Sequence, residues 1–126
     1  MILADTSVWI EFLKQDPYIT PGFTTLLEKQ EIVTIEPVFS ELLYGVRTRK
    51  DREVILSYWQ LLYKIPFEPG SMLDAADYAN HNNFHNLGIG LMDATIIFPV
   101  TTLGIRLWTM DKRILKAIDR KNTFTL

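Results

Sequence analysis

Residues 2–9, with the sequence ILADTSVW, carry the clearest indication of the fold. The first three are apolar and have the length of a short buried strand, and Asp5 follows them directly. Thr6 or Ser7 is placed to cap a helix whose apolar side chains begin immediately afterwards. A buried strand that leads at once into a helix is typical of α/β proteins, in which helices connect the strands of a sheet.

The alternation of short apolar strands and helical patterns continues along the chain. Strands linked through helices predict a mostly parallel sheet that is covered on both faces, because each parallel connection crosses the sheet. Further strands are expected at residues 32–35, 64–67, 107–109 and 123–125. Helices are expected to start at a Thr20-Pro21 cap, at Pro37, at an Asp51 cap, at Met72 with an end at Leu87, near Asp93 and at Lys112.

Composition narrows the class of protein. With 48% hydrophobic and 22% charged residues, and with no internal repeat, the chain is expected to fold as one domain over residues 1–126. The absence of cysteine excludes disulfides, thiolate zinc sites and cysteine nucleophiles. Without a signal-like segment or a long apolar run, a cytoplasmic protein with no membrane partner is expected. The formal net charge of −2 offers no overall basic field for nucleic acid.

Three aspartates lie where α/β proteins bind ligands, which is outside the carboxyl ends of the strands. Asp5 follows the first strand and Asp111 follows the strand at 107–109, so both should lie at the same edge of a parallel sheet. Asp93 begins a helix whose N-terminus can face that edge. Each of the three can equally serve only as a helix cap, since aspartate is among the preferred N-cap residues.

Glu41 is a fourth candidate, within a predicted helix. It shares a helix face with Gly45, which leaves room for a ligand, although a glutamate that simply faces solvent would look the same. Carboxylates gathered at ~4 Å repel each other by roughly 4 kcal/mol per pair at an effective dielectric of about 20, so they need protons or cations. Oxygen ligands without cysteine favour Mg²⁺ or Mn²⁺, and such ions support phosphodiester hydrolysis.

The four acids fall in four short blocks, which are DTSVWI at 5–10, SELLYG at 40–45, MDATI at 92–96 and TMD at 109–111. In this order the blocks resemble those of the PIN-domain ribonucleases, and among them the toxin subunits of VapBC-type toxin–antitoxin pairs. The resemblance covers essentially the whole chain. It implies a three-layer α/β/α sandwich with a mostly parallel central sheet, and a metal-dependent endoribonuclease that hydrolyses RNA.

The resemblance also implies site residues and partners. The catalytic acids, which would bind Mg²⁺ or Mn²⁺, are Asp5, Glu41, Asp93 and Asp111. The hydroxyls that would orient carboxylates or waters are Thr6, Ser7 and Thr109. Helix capping explains these hydroxyls equally well. The implied partners are an RNA substrate, a small VapB-like antitoxin whose C-terminal segment covers the active site, and a second copy of the chain in a homodimer.

Two departures from the family pattern modify these expectations. Many members carry a further acid just after the fourth-block aspartate, where this chain has Lys112 and Arg113, so occupancy by a single ion before substrate binds is plausible. The helix after Asp93 contains Pro99, which removes a backbone hydrogen bond and should kink or shorten that helix.

Two groups of basic residues lie at predicted helix ends and could contact RNA phosphates. A solvated helix end is the alternative, since cations also interact favourably with a helix C-terminus. Without the four proposed metal ligands the formal charge changes from −2 to +2, so the remaining surface is mildly cationic. The RNA-binding candidates are Arg47, Arg49, Lys50 and Arg52 in the first group, and Lys112 and Arg113 in the second.

Three other functions stay open. A phosphatase could use Asp5 as its nucleophile, but such sites usually have a second acid two residues later, where this chain has Ser7. A phosphoacceptor domain normally shows an acidic pair near the end of the first strand, where Asp5 stands alone. A PIN-like module that binds RNA or protein without catalysis would keep the fold and lack only the cleavage.

Overall fold

The computed structural model describes residues 1–126, and at its centre is a sheet of four short strands. These are β1 Ile2–Ala4, β2 Ile32–Thr34, β3 Tyr63–Lys64 and β4 Arg106–Trp108. Their order across the sheet is β3-β2-β1-β4, and every neighbouring pair is parallel. The predicted mostly parallel sheet is therefore confirmed, with β1 at its interior between β2 and β4.

Seven α-helices and two short 3₁₀ helices connect and cover the strands. The α-helices are α1 Thr6–Leu13, α2 Thr20–Glu28, α3 Glu36–Gly45, α4 Arg49–Leu61, α5 Ser71–His81, α6 Leu91–Leu103 and α7 Lys112–Ala117. The 3₁₀ helices span Phe84–Leu87 and Arg120–Asn122. Every residue of β1 and β2 is buried, which requires cover on both faces of the sheet and confirms the predicted α/β/α sandwich. None of the helices combines the length and hydrophobicity that a membrane crossing requires.

Trp9 is the centre of the packing between α1 and its neighbouring helices. Its side chain has no exposed surface. Its ring centroid lies 5.9 Å from that of Phe12, 4.8 Å from Phe23, 5.1 Å from Phe39 and 5.4 Å from Tyr58. These partners belong to α1, α2, α3 and α4 respectively, so one indole holds four helices together.

The first helix has a different cap from the one predicted. Its N-cap residue is Asp5, whose extended backbone precedes the helix and whose carboxylate accepts a hydrogen bond from the Val8 N–H at 3.3 Å. The prediction that Thr6 or Ser7 caps this helix is wrong, because helical backbone already begins at Thr6. The hydroxyls of both residues are therefore left for contacts outside the helix.

Two further caps also differ from prediction. Thr20 is the first residue of α2 and not its cap; the preceding Ile19 has no capping side chain, and the Asp16 carboxylate holds the turn before it. In α4 the hydroxyl of Thr48 accepts from the Asp51 N–H at 3.0 Å, so Asp51 lies inside the first turn. A hydroxyl at the last extended residue satisfies the free backbone N–H better than an aspartate within the turn.

Two predicted strands are shorter in the structure. β3 covers two residues instead of 64–67, because Pro66 has no N–H to continue the ladder. The prediction of a strand at 123–125 is also wrong, since only Thr123 forms a bridge, and this is a parallel bridge to Leu107. The short β3 forms one edge of the sheet, as the proline indicated.

Two helices end at other residues than expected. α5 ends at His81 and not at Leu87, because Asn83 adopts a left-handed backbone conformation with φ 57°. The expected shortening of the helix after Asp93 does not occur, since α6 continues beyond Pro99 to Leu103. A proline costs a helix one internal hydrogen bond, and the buried apolar residues of α6 compensate for that loss.

The strand order reverses at β1. From β1 the chain passes to β2 on one side and returns much later to β4 on the other, so the carboxyl ends of β1 and β4 border a crevice. Asp5 follows β1, and Thr109 follows β4, which ends one residue earlier than predicted. The predicted edge of the sheet therefore coincides with the place where open α/β sheets bind ligands.

Candidate active site

Asp5 is the centre of the candidate site and is buried, with 5% of its surface exposed. Both carboxylate oxygens accept hydrogen bonds from hydroxyls, Oδ1 from Ser7 and Oδ2 from Thr109. The Val8 N–H adds a longer bond to Oδ1 at 3.3 Å. These three donors hold the carboxylate in one orientation at the end of β1.

The same hydroxyls connect Asp5 to the segment that follows β4. The Thr109 hydroxyl accepts from the Asp111 N–H at 3.0 Å, and the Ser7 hydroxyl accepts from the Met110 N–H at 3.3 Å. Each hydroxyl therefore bridges the Asp5 carboxylate to the backbone of the loop that leads to Asp111. This bridging fixes the position of one acid relative to the other.

Burial raises the pKa of the Asp5 carboxyl, and the hydrogen bonds from Ser7 and Thr109 reduce this effect without cancelling it. The ionised carboxylate is thus less stable here than it would be in water. A carboxyl with a perturbed pKa in a crevice of the sheet is typical of a functional site, because binding a proton or a cation would offset the cost of burying its charge.

Asp93 lies in the first turn of α6 and is half-buried. Its carboxylate accepts a bond of 3.4 Å from the N–H of Gly90, which is the N-cap residue, so Asp93 is not itself the cap. Burial raises its pKa most, and the negative charges of Asp111 and Glu41 raise it further. These three acids therefore share one electrostatic environment.

Glu41 lies on the exposed face of α3, and its Oε1 accepts a hydrogen bond from the Thr6 hydroxyl at 2.7 Å. Because Thr6 directly follows Asp5, this bond brings the Glu41 carboxylate to the start of α1, beside the buried acid. A Cβ atom added at Gly45 would meet no atom within 4 Å, so the space that the sequence predicted beside Glu41 is open.

Asp111 is the N-cap of α7, as the capping alternative proposed, and it also pairs with a cation. Its Oδ1 accepts from the Arg113 N–H at 2.8 Å, and the Nη2 atom of Arg113 lies 3.4 Å from Oδ2. Burial acts to raise the pKa of Asp111, but the hydrogen bonds and charge of Arg113 prevail and lower it. Asp111 therefore stays ionised to lower pH than Asp5 and Asp93 do.

The four acids lie around one end of the sheet, but their carboxylates do not converge on a single point. No three acidic or histidine side chains lie close enough together to coordinate one metal ion. Electrostatic repulsion reaches much farther than a metal–oxygen bond of about 2 Å, so the coupling of Asp93 to Asp111 and Glu41 is compatible with this spacing. The structure brings the predicted acids to one edge and leaves their carboxylates apart.

Comparison with known proteins agrees with this architecture. The sequence profile of the PIN domain matches residues 2–121, which is nearly the whole chain. This chain belongs to the PIN domain family. The resemblance that the four sequence blocks indicated is therefore confirmed.

Individual relatives of this PIN domain cover almost its full length. Ribonuclease VapC32 of Mycobacterium tuberculosis, from strains CDC 1551 / Oshkosh and ATCC 25618 / H37Rv, is 33% identical over 115 residues, which are 90% of this chain and 87% of the relative. Among solved structures, VapBC2 from Rickettsia felis bound to a DNA fragment from their promoter matches with a TM-score of 0.71 and 18% identity. That match covers 98% of this chain and 96% of the other, and it supports the fold.

The predicted basic residues of this PIN domain differ in their surroundings. The first group is exposed at the junction of α3 and α4 and consists of Arg47, Arg49, Lys50 and Arg52. Arg49 makes an exposed pair with Glu53 at 3.5 Å, which contributes little to stability. In the second group both Lys112 and Arg113 are exposed, and Arg113 also contacts Asp111. Contact of either group with RNA stays a prediction.

A groove beside Glu41 escaped prediction from the sequence. It has a volume of about 810 Å³, lies between α1, α3 and α4, and is lined by fifteen residues of which eight are hydrophobic. Glu41, Gly45 and Arg47 border it together with Ile10 and Val54, whose apolar side chains are partly exposed. No pattern in the sequence indicates this groove, because it forms only where separate helices pack against each other.

Asp93→Asn is expected to raise the thermal midpoint of this PIN domain by a few degrees at pH 7 in a metal chelator, and by less as the pH falls toward 3.8. Its raised carboxyl pKa means that the folded state binds the proton more tightly than the unfolded state does. The contribution of the Asp93 carboxyl to the free energy of unfolding is therefore greatest below its ordinary pKa of 3.8. This contribution decreases as the pH rises through the raised pKa of the folded state. Thermal denaturation across this pH range measures the difference, and a pH-independent difference would contradict it.

Proposed function

We propose that this PIN domain is a Mg²⁺- or Mn²⁺-dependent endoribonuclease and the toxin component of a toxin–antitoxin pair. The observation that carries the proposal is the buried Asp5, held on both oxygens by hydroxyls at the strand-order reversal, with three more acids around it. The similarity to Ribonuclease VapC32 supports the nuclease class. The proposed metal-binding and catalytic acids are Asp5, Glu41, Asp93 and Asp111.

The donor atoms at this edge fit a hard divalent cation. All four candidate ligands are carboxylates, and the chain has no cysteine that would favour a softer metal. The pKa values of Asp5 and Asp93 are raised by burial and, for Asp93, also by the negative charges of neighbouring acids. A bound cation would stabilise both ionised carboxylates and so lower these pKa values. Because Glu41 is exposed, its flexible side chain can turn toward such an ion. A bound Mg²⁺ or Mn²⁺ supplies Lewis-acid stabilisation of phosphate charge and activation of water.

The protein's own residues prepare the acids for this role. Ser7 and Thr109 fix the orientation of Asp5, and Thr6 holds Glu41 near it. Asp93 lies at the N-terminal end of α6, where the helix dipole favours a negative charge and offsets part of the repulsion from its neighbours. Because the Asp5 carboxylate is already held in one orientation, it loses less entropy when an ion and substrate bind.

RNA contacts are proposed for the exposed basic residues on either side of the acids. Arg47 borders the groove beside Glu41, so a phosphate bound there would lie next to the acidic edge. Lys112 directly follows Asp111 and is exposed. Contacts of this type bind the RNA backbone irrespective of sequence and weaken as salt increases.

A small antitoxin is the proposed protein partner, and a second copy of the chain is expected in a homodimer. The similarity in fold to VapBC2 of Rickettsia felis supports this assembly class. The groove beside Glu41 suits an apolar segment of a partner, because most of its lining is hydrophobic while Arg47 and Glu41 can form polar contacts at its border. A segment bound there would obstruct access to Glu41.

Incubation of the purified protein with structured RNA tests the proposed activity. Internal cleavage that requires Mg²⁺ or Mn²⁺ and stops in excess chelator is the expected result. Equal cleavage in chelator would overturn the metal-dependent mechanism. Binding of RNA in the presence of the ion without any cleavage would favour the non-catalytic module, and labelling of Asp5 by a small phosphodonor would favour the phosphatase or phosphoacceptor alternatives.

Thr109→Val is expected to reduce cleavage about 10–100-fold, as loss of a group that orients a metal ligand typically does. Valine has a similar shape but neither donates to Asp5 nor accepts from the Asp111 N–H. Thr109→Ser keeps the hydroxyl and should retain most of the activity. Single-turnover cleavage measures both variants, with circular dichroism to verify folding; equal activity of the valine and serine variants would contradict the positioning role.

A further inference from the structure

Arg113 makes the one ion pair at the acidic edge of the sheet. Its Nη1 atom donates to the Gly88 carbonyl oxygen at 3.0 Å, while Nη2 lies 3.4 Å from Oδ2 of Asp111. The guanidinium therefore joins two separate segments, which are the loop that leads into α6 and the N-terminus of α7. The side chain of Arg113 is 62% exposed, and we call this two-sided contact of its guanidinium the Arg113 clamp.

Both carboxylate oxygens of Asp111 are engaged by this one residue. Oδ1 accepts from the Arg113 backbone N–H at 2.8 Å, and Oδ2 faces the guanidinium. An oxygen that already faces a cation is a poorer ligand for a second cation, because the two positive charges repel. Asp111 is therefore the least available of the four acids.

Arg113 also contacts the segment that carries the next acid. The Gly88 carbonyl that its Nη1 atom contacts precedes Asp93 by five residues, so the guanidinium lies between Asp111 and the loop that leads into α6. Two-metal nuclease sites neutralise such a pair of acids with a second ion about 3.5–4 Å from the first. Here a permanent positive charge already lies beside one of the two acids.

We propose that the Arg113 guanidinium is a built-in cation of the acidic edge, which neutralises Asp111, ties it to the Gly88 loop and limits the site to one divalent ion. This inference rests on the proposed function, since it takes the acids to bind an ion. Arg113 acts through Asp111 and is a positioning residue. The expected stoichiometry is one ion per chain.

Removal of this charge has a measurable consequence for metal affinity. A unit charge at ~7 Å from a divalent ion in a water-like dielectric changes its binding by about five- to tenfold. Arg113→Gln is therefore expected to bind Mn²⁺ about five- to tenfold more tightly than the wild-type protein. Arg113→Lys keeps the charge and should bind Mn²⁺ with nearly the wild-type affinity, although a lysine cannot contact Gly88 and Asp111 as a fork.

Titration with Mn²⁺ alone, without RNA, tests the inference. Electron paramagnetic resonance of the free ion and calorimetry give the stoichiometry and the affinity for the full chain and its variants. Lys29→Gln is the control, because it removes the same charge from an exposed residue just before the amino end of β2, at the opposite end of the sheet from the acids. It is expected to change the Mn²⁺ affinity less than about twofold.

Each outcome bears on one of the two proposals. Two Mn²⁺ ions on the wild-type protein, or equal affinities of Arg113→Gln and Lys29→Gln, would overturn the role of Arg113 and leave the ribonuclease proposal intact. No binding of Mn²⁺ by the wild-type protein would instead overturn the metal-dependent function. If Arg113→Gln does not fold, the wild-type stoichiometry still decides the inference, because two bound Mn²⁺ ions would overturn it.

Discussion

Asp93→Asn is expected to lower the rate of RNA cleavage about a thousandfold while the protein stays folded. If Asp93 is a metal ligand as proposed, loss of its charge removes several kcal/mol of stabilisation from the transition state, which corresponds to roughly this factor. Asparagine still offers an oxygen to the Gly90 N–H, so the first turn of α6 is kept. Single-turnover cleavage of structured RNA in saturating Mg²⁺ measures the effect.

Asp77→Asn is the control for this result, because Asp77 is exposed on α5 and forms no hydrogen bond or ion pair with the four acids. It changes the net charge equally and should leave cleavage within about twofold of wild type. The same Asp93 variant is expected to be more stable in chelator, so its activity and its stability change in opposite directions. Cleavage by Asp93→Asn at the rate of Asp77→Asn would remove Asp93 from the mechanism.

Trp9→Ala is expected to lower the free energy of unfolding by about 3–5 kcal/mol, a large part of the roughly 5–15 kcal/mol that stabilises a typical domain. The fully buried indole contacts aromatic rings from α1, α2, α3 and α4, so its removal leaves a cavity that four helices would have to close. Urea denaturation followed by circular dichroism measures the loss.

Two further variants separate cavity formation from the loss of an aromatic side chain. Trp9→Phe should cost much less than Trp9→Ala, since it keeps a ring and removes an indole N–H that has no acceptor within the protein. Trp59→Ala should also cost less, because Trp59 is only half-buried. A loss as large for Trp59→Ala as for Trp9→Ala would show that the central position of Trp9 has no special role.

The fold could be predicted because the decisive signals are local and repeated. The apolar run before Asp5, and each later apolar run followed by a helical pattern, required only neighbouring residues to interpret. Parallel strands then place Asp5 and Asp111 at one edge regardless of the exact bounds of β4. The order of the four acidic blocks added the family, and with it Glu41, which no local pattern distinguishes from a solvent-facing glutamate.

Which acid each hydroxyl contacts could not be predicted from local patterns, because the Thr6–Glu41 and Thr109–Asp5 contacts join residues far apart in the sequence. Local rules favoured a helix cap for the Thr6 and Ser7 hydroxyls, and only the family resemblance implied that they orient carboxylates. In the structure they contact Glu41 and Asp5 respectively. Whether a hydroxyl caps a helix depends on the residue at which the helix begins. Because α1 begins at Thr6, Asp5 is its cap, and the Thr6 and Ser7 hydroxyls are not. The clamp of Arg113 on Gly88 likewise depends on how a loop folds over α7.

The hydrogen bond between Thr109 and Asp5 spans 104 positions of the chain. Translation proceeds from the N-terminus, so Asp5 leaves the ribosome long before the strand that completes its surroundings has been synthesised. A nascent chain that lacks β4 has neither the Thr109 hydroxyl nor Asp111, and it cannot form the acidic edge. The position of β4 beside β1 thereby makes the proposed nuclease activity depend on synthesis of the chain beyond Asp111, and a ribosome that has not yet reached that point is not exposed to the activity.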